Sequence, residues 1–352
     1  MKMKTTTIIY MADDVRPKGG IADRFRAIIT LYKISKDCGF QFKINYTQPF
    51  DLSDFLLPNI VDWKISEKEI SQIKNNSRSV SIFNFGGCIY APSLYSDVSI
   101  QSTSGDLQKD VPIIKEAAKN NDYILFYTNA YFYGDNYSTL FNELFVLTPI
   151  LQSAVDLHRK NMNDNYLSAT FRFQQLLGDF DEHDDGFLTL PEELQEPFLQ
   201  KNIKHLINIH KRNKKEKILL CSDSEKFRNA AAKYDFVYTI DGKRQHLNIP
   251  KMDKKYALIS FVDYFLISYS KKSFLVVDEI KGEKEKYEMY RSGFPLWASR
   301  QRNVKFVIKD YRASSIKITI KNVIPRWIKH TRFFMALTKK WVKIKQQLKS
   351  LF

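Results

Sequence analysis

A pair of glycines follows a short apolar run near the N-terminus, and the surrounding pattern is typical of an anion-binding turn. The run IIYM predicts a strand, and Gly19 and Gly20 precede a segment, GGIADRFRAI, whose apolar residues recur at helical spacing. Glycine lets a ligand approach the backbone, and a helix N-terminus offers N–H groups and partial positive charge. Arg24 and Arg26 add positive charge that we expect to be mobile. The pattern predicts a phosphate site; the alternative is a plain tight turn before a solvated helix.

A second chemical pattern, from Asp181 to Glu192, has the spacing of a calcium-binding loop. Apolar residues at helical spacing (Phe173, Leu176, Leu177 and Phe180) precede it, as the entering helix of an EF-hand would. The loop residues that match positions 1, 3, 5, 6, 8 and 12 are Asp181, His183, Asp185, Gly186, Leu188 and Glu192.

Three features weaken the calcium interpretation. Position 3 is a histidine, which is a poorer calcium ligand than a carboxylate; position 11 is proline; and no second acidic loop exists to form the usual pair. Thr189 and Glu192 also match a capping box with Pro191 in the first helical turn. We therefore favour a strand ending at Phe173, a loop through Asp185 and a helix beginning near Thr189.

The elements that must position these loops alternate between strands and helices along most of the chain. Apolar strand-like runs, among them YLSATFRF, KILLCSDS and SFLVV, are separated by helical segments, which predicts an α/β fold of doubly wound sheets. The polar stretch NMNDN, 161–165, suggests a boundary. We predict domains at 1–160 and 161–311, followed by a tail at 312–352. Ligands of such sheets bind at the carboxyl ends of the strands.

Charge and cysteine content exclude several classes of protein. The formal net charge is +16, but the last 41 residues hold eleven Lys or Arg and no Asp or Glu, so the body is only mildly basic. This distribution indicates an anionic surface near the tail and argues against a nucleic-acid enzyme. Cys38, Cys88 and Cys221 lack metal or disulfide spacing, which fits a reducing cytoplasm. No window approaches the 18 apolar residues of a membrane span.

Several segments, in order along the chain, resemble a known enzyme family. GGIADRFRAI looks like the GGLGDRLRGI element that opens the N-terminal domain of the fucosyltransferase superfamily, which includes the rhizobial nodulation, plant xyloglucan, core α1,6 and protein-O enzymes. ATFRFQQLLGDF resembles the family's H-x-R-R-x-D strand end. LLCSDS, FVDYFLIS and MYRSGFPLWAS resemble three further motifs of the donor domain. The resemblance covers about Ile8 to Ala298 and implies two Rossmann-like domains of the GT-B type.

The resemblance implies a role for each matching residue. Arg172 matches the arginine that grips the donor β-phosphate, and a fixed guanidinium suits a leaving diphosphate because it stabilises the growing charge. Thr170 stands where the family has its histidine, and Phe173 replaces the second arginine. The catalytic base is expected among Asp179, Glu182 and Asp184, with Asp23 as a further possibility.

The donor-binding residues implied by the resemblance come from five places in the chain. Asp223 becomes a cleft residue, and Asp263 would accept hydrogen bonds from guanine N1 and N2. The phosphate-binding positions are expected at Gly19, Gly20, Arg24, Arg172, Ser292, Gly293 and Phe294.

The implied activity is inverting transfer of fucose from GDP-fucose to a hydroxyl of a cell-surface glycan or lipid-linked oligosaccharide. GDP-mannose remains an alternative donor. No metal or other cofactor is expected, because Arg172 and helix-terminal N–H groups would neutralise the diphosphate. Trp63 is a candidate sugar-stacking residue, with an apolar loop packed on the domain as the alternative. The competing class is a non-catalytic protein that binds glycans or calcium.

The basic tail has the pattern of an amphipathic helix. One apolar stripe comprises Trp327, Phe334, Leu337, Trp341, Ile344, Leu348 and Leu351. Lysines surround the stripe, so the tail is predicted to lie on an anionic membrane surface. We expect a cytoplasmic protein, peripheral at the inner face of the membrane. The alternative is a C-terminal clasp across both domains or a partner helix.

Overall fold

The structure, a computed structural model, describes residues 5–13, 19–84, 100–102, 111–129, 134–181, 187–214, 216–245, 247, 249, 251–283 and 285–312. Glu182, His183, Asp184, Asp185, Cys88 and the predicted tail helix therefore lie outside the described residues. Among the described helices, none combines the length and apolar character needed to cross a membrane.

The N-terminal half forms a parallel sheet with strand order β2-β1-β6-β4-β5 and a small antiparallel pair of β3 with β7. In chain order its elements are β1 (Thr7–Ala12), α1 (Ile21–Cys38), β2 (Gln41–Tyr46), a 3-10 turn (Leu52–Asp54), β3 (Leu56–Pro58), α2 (Glu67–Lys74), β4 (Ser79–Asn84), β5 (Ile100–Ser102), α3 (Val111–Asn120), β6 (Tyr123–Thr128), α4 (Tyr137–Leu144), β7 (Phe145–Leu147) and α5 (Pro149–Asn161). All six residues of β1 are buried, as expected for a strand covered on both faces.

The C-terminal half repeats this architecture with a parallel sheet of order β10-β9-β8-β11-β14. Its elements are β8 (Tyr166–Phe171), α6 (Glu192–Arg212), β9 (Lys217–Ser222), α7 (Glu225–Ala231), β10 (Val237–Tyr238), α8 (Lys254–Tyr269), β11 (Lys272–Val277), β12 (Glu279–Lys281), β13 (Lys286–Glu288), α9 (Phe294–Arg300) and β14 (Lys305–Asp310). Strand order reverses between β8 and β11, and such a switch point is the usual ligand crevice of this architecture.

Helix α8 joins the two halves. It is apolar on nearly every side, and Phe261 and Tyr264 insert among aromatic rings of the N-terminal half, with 4.4 Å between the ring centres of Phe55 and Phe261. The hydroxyls of Tyr137 and Tyr264 are 3.1 Å apart. One buried cluster therefore includes residues of both halves. The predicted domain limits stay a prediction.

The alternating α/β prediction is confirmed, with corrections at some ends. α1 ends at Cys38, and the predicted Gly39 is its C-cap, with φ 70° in the left-handed conformation that glycine tolerates. Strand β8 ends at Phe171, two residues before the predicted Phe173. Helix α6 begins at Glu192 with Pro191 as its N-cap, so the predicted capping box from Thr189 does not form. Glu192 occupies the first helical position instead of the third.

Candidate active site

Arg172 follows the last residue of β8, at the carboxyl edge of the second sheet. Its Nη1 lies 2.9 Å from Oδ2 of Asp223, and its guanidinium carbon lies 4.7 Å from the ring centre of Phe180. The side chain of Arg172 is 19% exposed, whereas that of Asp223 is 2% exposed. The guanidinium is thus held in one orientation while part of it reaches solvent. A donor fixed in this way can stabilise a diphosphate without reorganising when charge develops.

Asp223, at the end of β9, organises the loop that carries Arg172. Its carboxylate accepts hydrogen bonds from the backbone N–H groups of Phe173 (2.9 Å), Gln174 (2.6 Å) and Ser224 (3.0 Å). Gln174 has φ 56°, a left-handed conformation that these bonds help to hold. Asp223 lies at the carboxyl edge of the sheet, and its oxygens support Arg172 and the loop.

Asp179 lies next to this network, at the N-terminus of α7. Its Oδ2 accepts from the Ser224 hydroxyl (2.9 Å) and from the backbone N–H of Lys226 (2.7 Å). Its Oδ1 is buried and makes no hydrogen bond with any described residue. One oxygen therefore caps the helix, and the other is buried without a hydrogen-bond donor among the described residues. Glu182, the other predicted catalytic carboxylate, is outside the described residues.

Gly19 and Gly20 lie directly before α1. Gly19 has φ 130°, and a Cβ added there would lie 3.2 Å from the Cβ of Asp23. Asp23 accepts the Gly20 N–H at 3.1 Å and pairs with Arg26 at 3.1 Å. One of the N–H groups predicted to bind phosphate is therefore already satisfied by Asp23.

The expectation of mobile arginines on α1 is wrong. Arg24 is 1% exposed and donates from Nε to the Gly19 carbonyl (3.2 Å) and from Nη1 to the Gln48 carbonyl (2.7 Å). Arg26 donates to the Asn129 carbonyl at 2.5 Å. Buried guanidinium groups require such partners, and these partners are backbone atoms that periodicity does not reveal. Both arginines tie the turn to neighbouring loops.

The predicted phosphate loop before α9 lies beside Arg172. The backbone N–H of Tyr290 donates to the Arg172 carbonyl at 3.1 Å, and Ser292 follows two residues later. The Ser292 hydroxyl accepts from the N–H of Phe294 at 3.2 Å, and Gly293 is the N-cap of α9. The Arg26 guanidinium carbon lies 6.0 Å from the Trp297 ring centre, so the α1 turn reaches the same helix. The loop before α9 thus contacts the segment of Arg172, and α9 itself contacts α1.

Asp263 lies on α8 and has a partner that the sequence interpretation missed. Arg244 donates from Nε and Nη2 to Oδ2 of Asp263, at 3.3 and 3.2 Å. The Cys221 thiol lies 3.8 Å from Oδ1, and burial, followed by the negative charge of Asp263, raises the pKa of that thiol. The sequence contained a signal for such a partner, because an aspartate within an apolar helix requires a buried cation or hydrogen-bond donors.

A second missed cluster lies at the end of β11, the strand beside β8. Asp278 is fully buried and accepts from Lys201 Nζ at 2.8 Å and from His205 Nε2 at 2.9 Å. Burial acts to raise the pKa of Asp278, but the His205 and Lys201 hydrogen bonds outweigh it and the pKa is lowered. Lys201 and His205 are four residues apart on α6, which puts both on one helix face.

Two other expectations are tested by the described residues. Leu176 and Leu177 lie in a turn and Phe173 lies in irregular structure before it, so the calcium interpretation loses its entering helix. No group of three or more His, Cys, Asp or Glu side chains suited to a metal occurs within the described ranges. Trp63 is 3% exposed and donates from Nε1 to the Leu144 carbonyl at 2.8 Å, so it is a core residue and cannot stack on a sugar in this position.

Comparison with known proteins supports this description of the fold. No protein-family model and no curated protein matches the chain. A mutant of Arabidopsis thaliana FUT1 in complex with GDP is similar, with a TM-score of 0.51 and 11% identity over 88% of this chain and 71% of that one. POFUT1 in complex with GDP is similar with a TM-score of 0.51 and 9% identity, covering 88% and 99%. POFUT1 in complex with GDP-fucose has a TM-score of 0.51 and 9% identity, covering 87% of this chain and 98% of that one.

These similarities establish the fold. The chain has the same overall fold, of the GT-B type, as these solved fucosyltransferases, which confirms the predicted pair of Rossmann-like domains.

Proposed function

We propose that this protein is a glycosyltransferase that moves fucose from GDP-fucose to a hydroxyl of an acceptor glycan or lipid-linked oligosaccharide. The observation that carries the proposal is Arg172, held by Asp223 at the switch-point edge of the second sheet. The same fold occurs in structures that contain GDP and GDP-fucose. A guanidinium at this edge matches the charge of a nucleotide diphosphate.

The proposed reaction is a single displacement with inversion. The acceptor oxygen forms a bond to the anomeric carbon while the bond from that carbon to the β-phosphate oxygen breaks. GDP leaves with the bonding electrons, and Arg172 stabilises the negative charge on its diphosphate. The hydroxyl proton passes to a carboxylate, and the predicted candidates within the described residues are Asp179 and Asp23.

The decisive experiment measures GDP release from a panel of nucleotide sugars by the full chain, with and without acceptors. Arg172→Ala should lower turnover by roughly a hundredfold, because a transition-state charge donor of this kind is typically worth ~3 kcal/mol. Arg78→Ala is the matched control, since Arg78 also pairs with an aspartate but lies before β4. Equal turnover in Arg172→Ala and wild type would contradict the mechanism. Preference for a UDP-sugar would contradict the donor assignment.

The calcium-binding alternative is tested by the same preparation. Transfer should survive EDTA, because the proposed leaving-group contacts come from Arg172 and the loop at Ser292. A calcium-dependent rise in melting temperature that disappears in Asp181→Ala would favour the alternative.

The proposed location is the inner face of the cytoplasmic membrane, and it rests on the composition of the tail at 312–352. Eleven basic residues without an acidic one favour an anionic surface, where each lysine is worth about 1 kcal/mol. Deletion of residues 326–352 should abolish sedimentation with anionic vesicles. Unchanged binding to the vesicles, or unfolding of the truncated chain, would instead favour the alternative in which the tail packs across both domains as a C-terminal clasp.

A further inference from the structure

The Arg244 guanidinium is fully hydrogen-bonded, in part by Asp263 and in part by backbone carbonyls. Nε and Nη2 donate to the two carboxylate oxygens at 3.2–3.4 Å, and Nη1 donates to the carbonyls of Ile240 (2.6 Å) and Gly242 (2.9 Å). An arginine has five N–H donors, so each has an acceptor. The two residues are 8% and 5% exposed. The pair is therefore buried as well as complete.

This geometry occupies the face of Asp263 that a guanine base would need. Guanine would present the N1–H and N2–H donors as a fork to both carboxylate oxygens, and the guanidinium already presents the same kind of fork. One carboxylate face accepts one such fork at a time. Asp263 therefore binds Arg244 or the base, not both in this way.

The turn that carries Arg244, residues 240–244, is packed tightly against α8. A Cβ added at Gly242 would lie 2.4 Å from Cδ1 of Ile259, and the Gly242 carbonyl also accepts from Arg228 Nη2 at 3.3 Å. Ile240 is 5% exposed. Withdrawal of Arg244 would break its bonds to the turn and leave a buried aspartate unpaired, which is strongly unfavourable.

Building on the proposed donor site, we infer that Arg244 is a positioning residue whose permanent partner is Asp263. The pair fixes the turn 240–244 at the end of β10, beside the carboxyl ends of the strands where a nucleotide base would lie. Asp263 then supports the donor site through Arg244 and does not read the guanine edge itself.

A double-mutant cycle with GDP and pyrophosphate as probes distinguishes these roles. Arg244→Met alone and Asp263→Leu alone each leave one unpaired buried charge. Each single change should therefore weaken the affinity for GDP at least about tenfold and lower the melting temperature. The double variant replaces the pair with apolar side chains, and it should bind GDP within about threefold of wild type. Pyrophosphate affinity should stay within about twofold throughout, because Arg172 is unchanged.

Two results would overturn the inference. A double variant that binds GDP as weakly as Asp263→Leu, while Arg244→Met binds normally, would make Asp263 the base reader. Tighter GDP binding by Arg244→Met would make Arg244 a displaceable competitor of the base. Arg159→Met, which removes an arginine paired with Asp164, is the control and should combine additively with Asp263→Leu.

Failure of the proposed function gives a different result. The wild-type protein would then bind neither GDP nor pyrophosphate. The melting temperatures of the wild type, the two single variants and the double variant would still test whether Arg244 and Asp263 are partners. Recovery of the melting temperature in the double variant supports the Arg244–Asp263 partnership, and its absence contradicts it.

Discussion

Arg172 and Asp223 form an ion pair of 2.9 Å across the ends of two neighbouring strands, β8 and β9. The carboxylate also binds three backbone N–H groups, so its position is fixed by the loop, and it in turn fixes the guanidinium. The proposed phosphate contact is therefore built from two segments of the chain.

Asp223→Asn should lower both stability and activity. The amide removes the charge that holds Arg172 and places an N–H₂ group among donors, so we expect a loss of ~3 kcal/mol in the free energy of unfolding. GDP release should fall by roughly a hundredfold, as in Arg172→Ala. Urea unfolding and turnover measure the two effects. Asp164→Asn, which disrupts an exposed pair, should change neither; full activity in Asp223→Asn would show that Arg172 needs no anchor.

Asp179→Asn should separate capping from catalysis. The asparagine oxygen can still accept from Ser224 and Lys226, so the melting temperature should change little. If Asp179 takes the acceptor proton, transfer should fall by about a hundredfold or more. Asp181→Asn serves as the control nearby. Normal transfer by Asp179→Asn would move the base to another carboxylate.

Trp63→Phe should affect stability alone. The change removes one of the two donors to the Leu144 carbonyl, which keeps the Asn59 N–H at 3.1 Å, so we expect a loss of ~0.5–1.5 kcal/mol in the free energy of unfolding. The KM values for donor and acceptor should stay the same, because the indole packs inside the N-terminal half against Phe145. A raised acceptor KM with unchanged stability would restore the sugar-stacking interpretation.

Stability should fall in mild acid partly because of His158. Burial lowers the pKa of His158, although the charges of Asp263 and Asp241 partly oppose this, and its Nδ1 lies 2.7 Å from the Tyr238 hydroxyl. The unfolded chain takes up this proton at about pH 6.5, and the native protein only at lower pH. The stabilisation is therefore present above about pH 6.5 and is lost as pH falls through the native pKa.

The measurement compares urea unfolding of wild type and His158→Gln at pH 7.5 and 5.5. Wild type should lose more stability than the variant between these values. Equal losses would show that His158 does not contribute to the pH dependence.

Sequence alone determined the local architecture of this protein. Apolar runs of β1, β8 and β11 predict buried strands, and the glycines at 19, 20 and 39 predict the turns around α1, because each signal depends on neighbouring residues. The position of Arg172 at a strand end was predicted for the same reason, with the family resemblance supplying its role.

Only the tertiary structure decided which partner each charged group takes. Asp223 binds a backbone N–H 50 residues away, Arg244 binds a carboxylate 19 residues away, and Asp278 binds a lysine 77 residues away. Periodicity carries no information about such pairs, since they depend on how sheets and helices pack. The same holds for the buried Arg24, Arg26 and Trp63. Their residue types suggested contacts with a ligand, but in the fold each side chain donates a hydrogen bond to a distant backbone carbonyl and stabilises the structure.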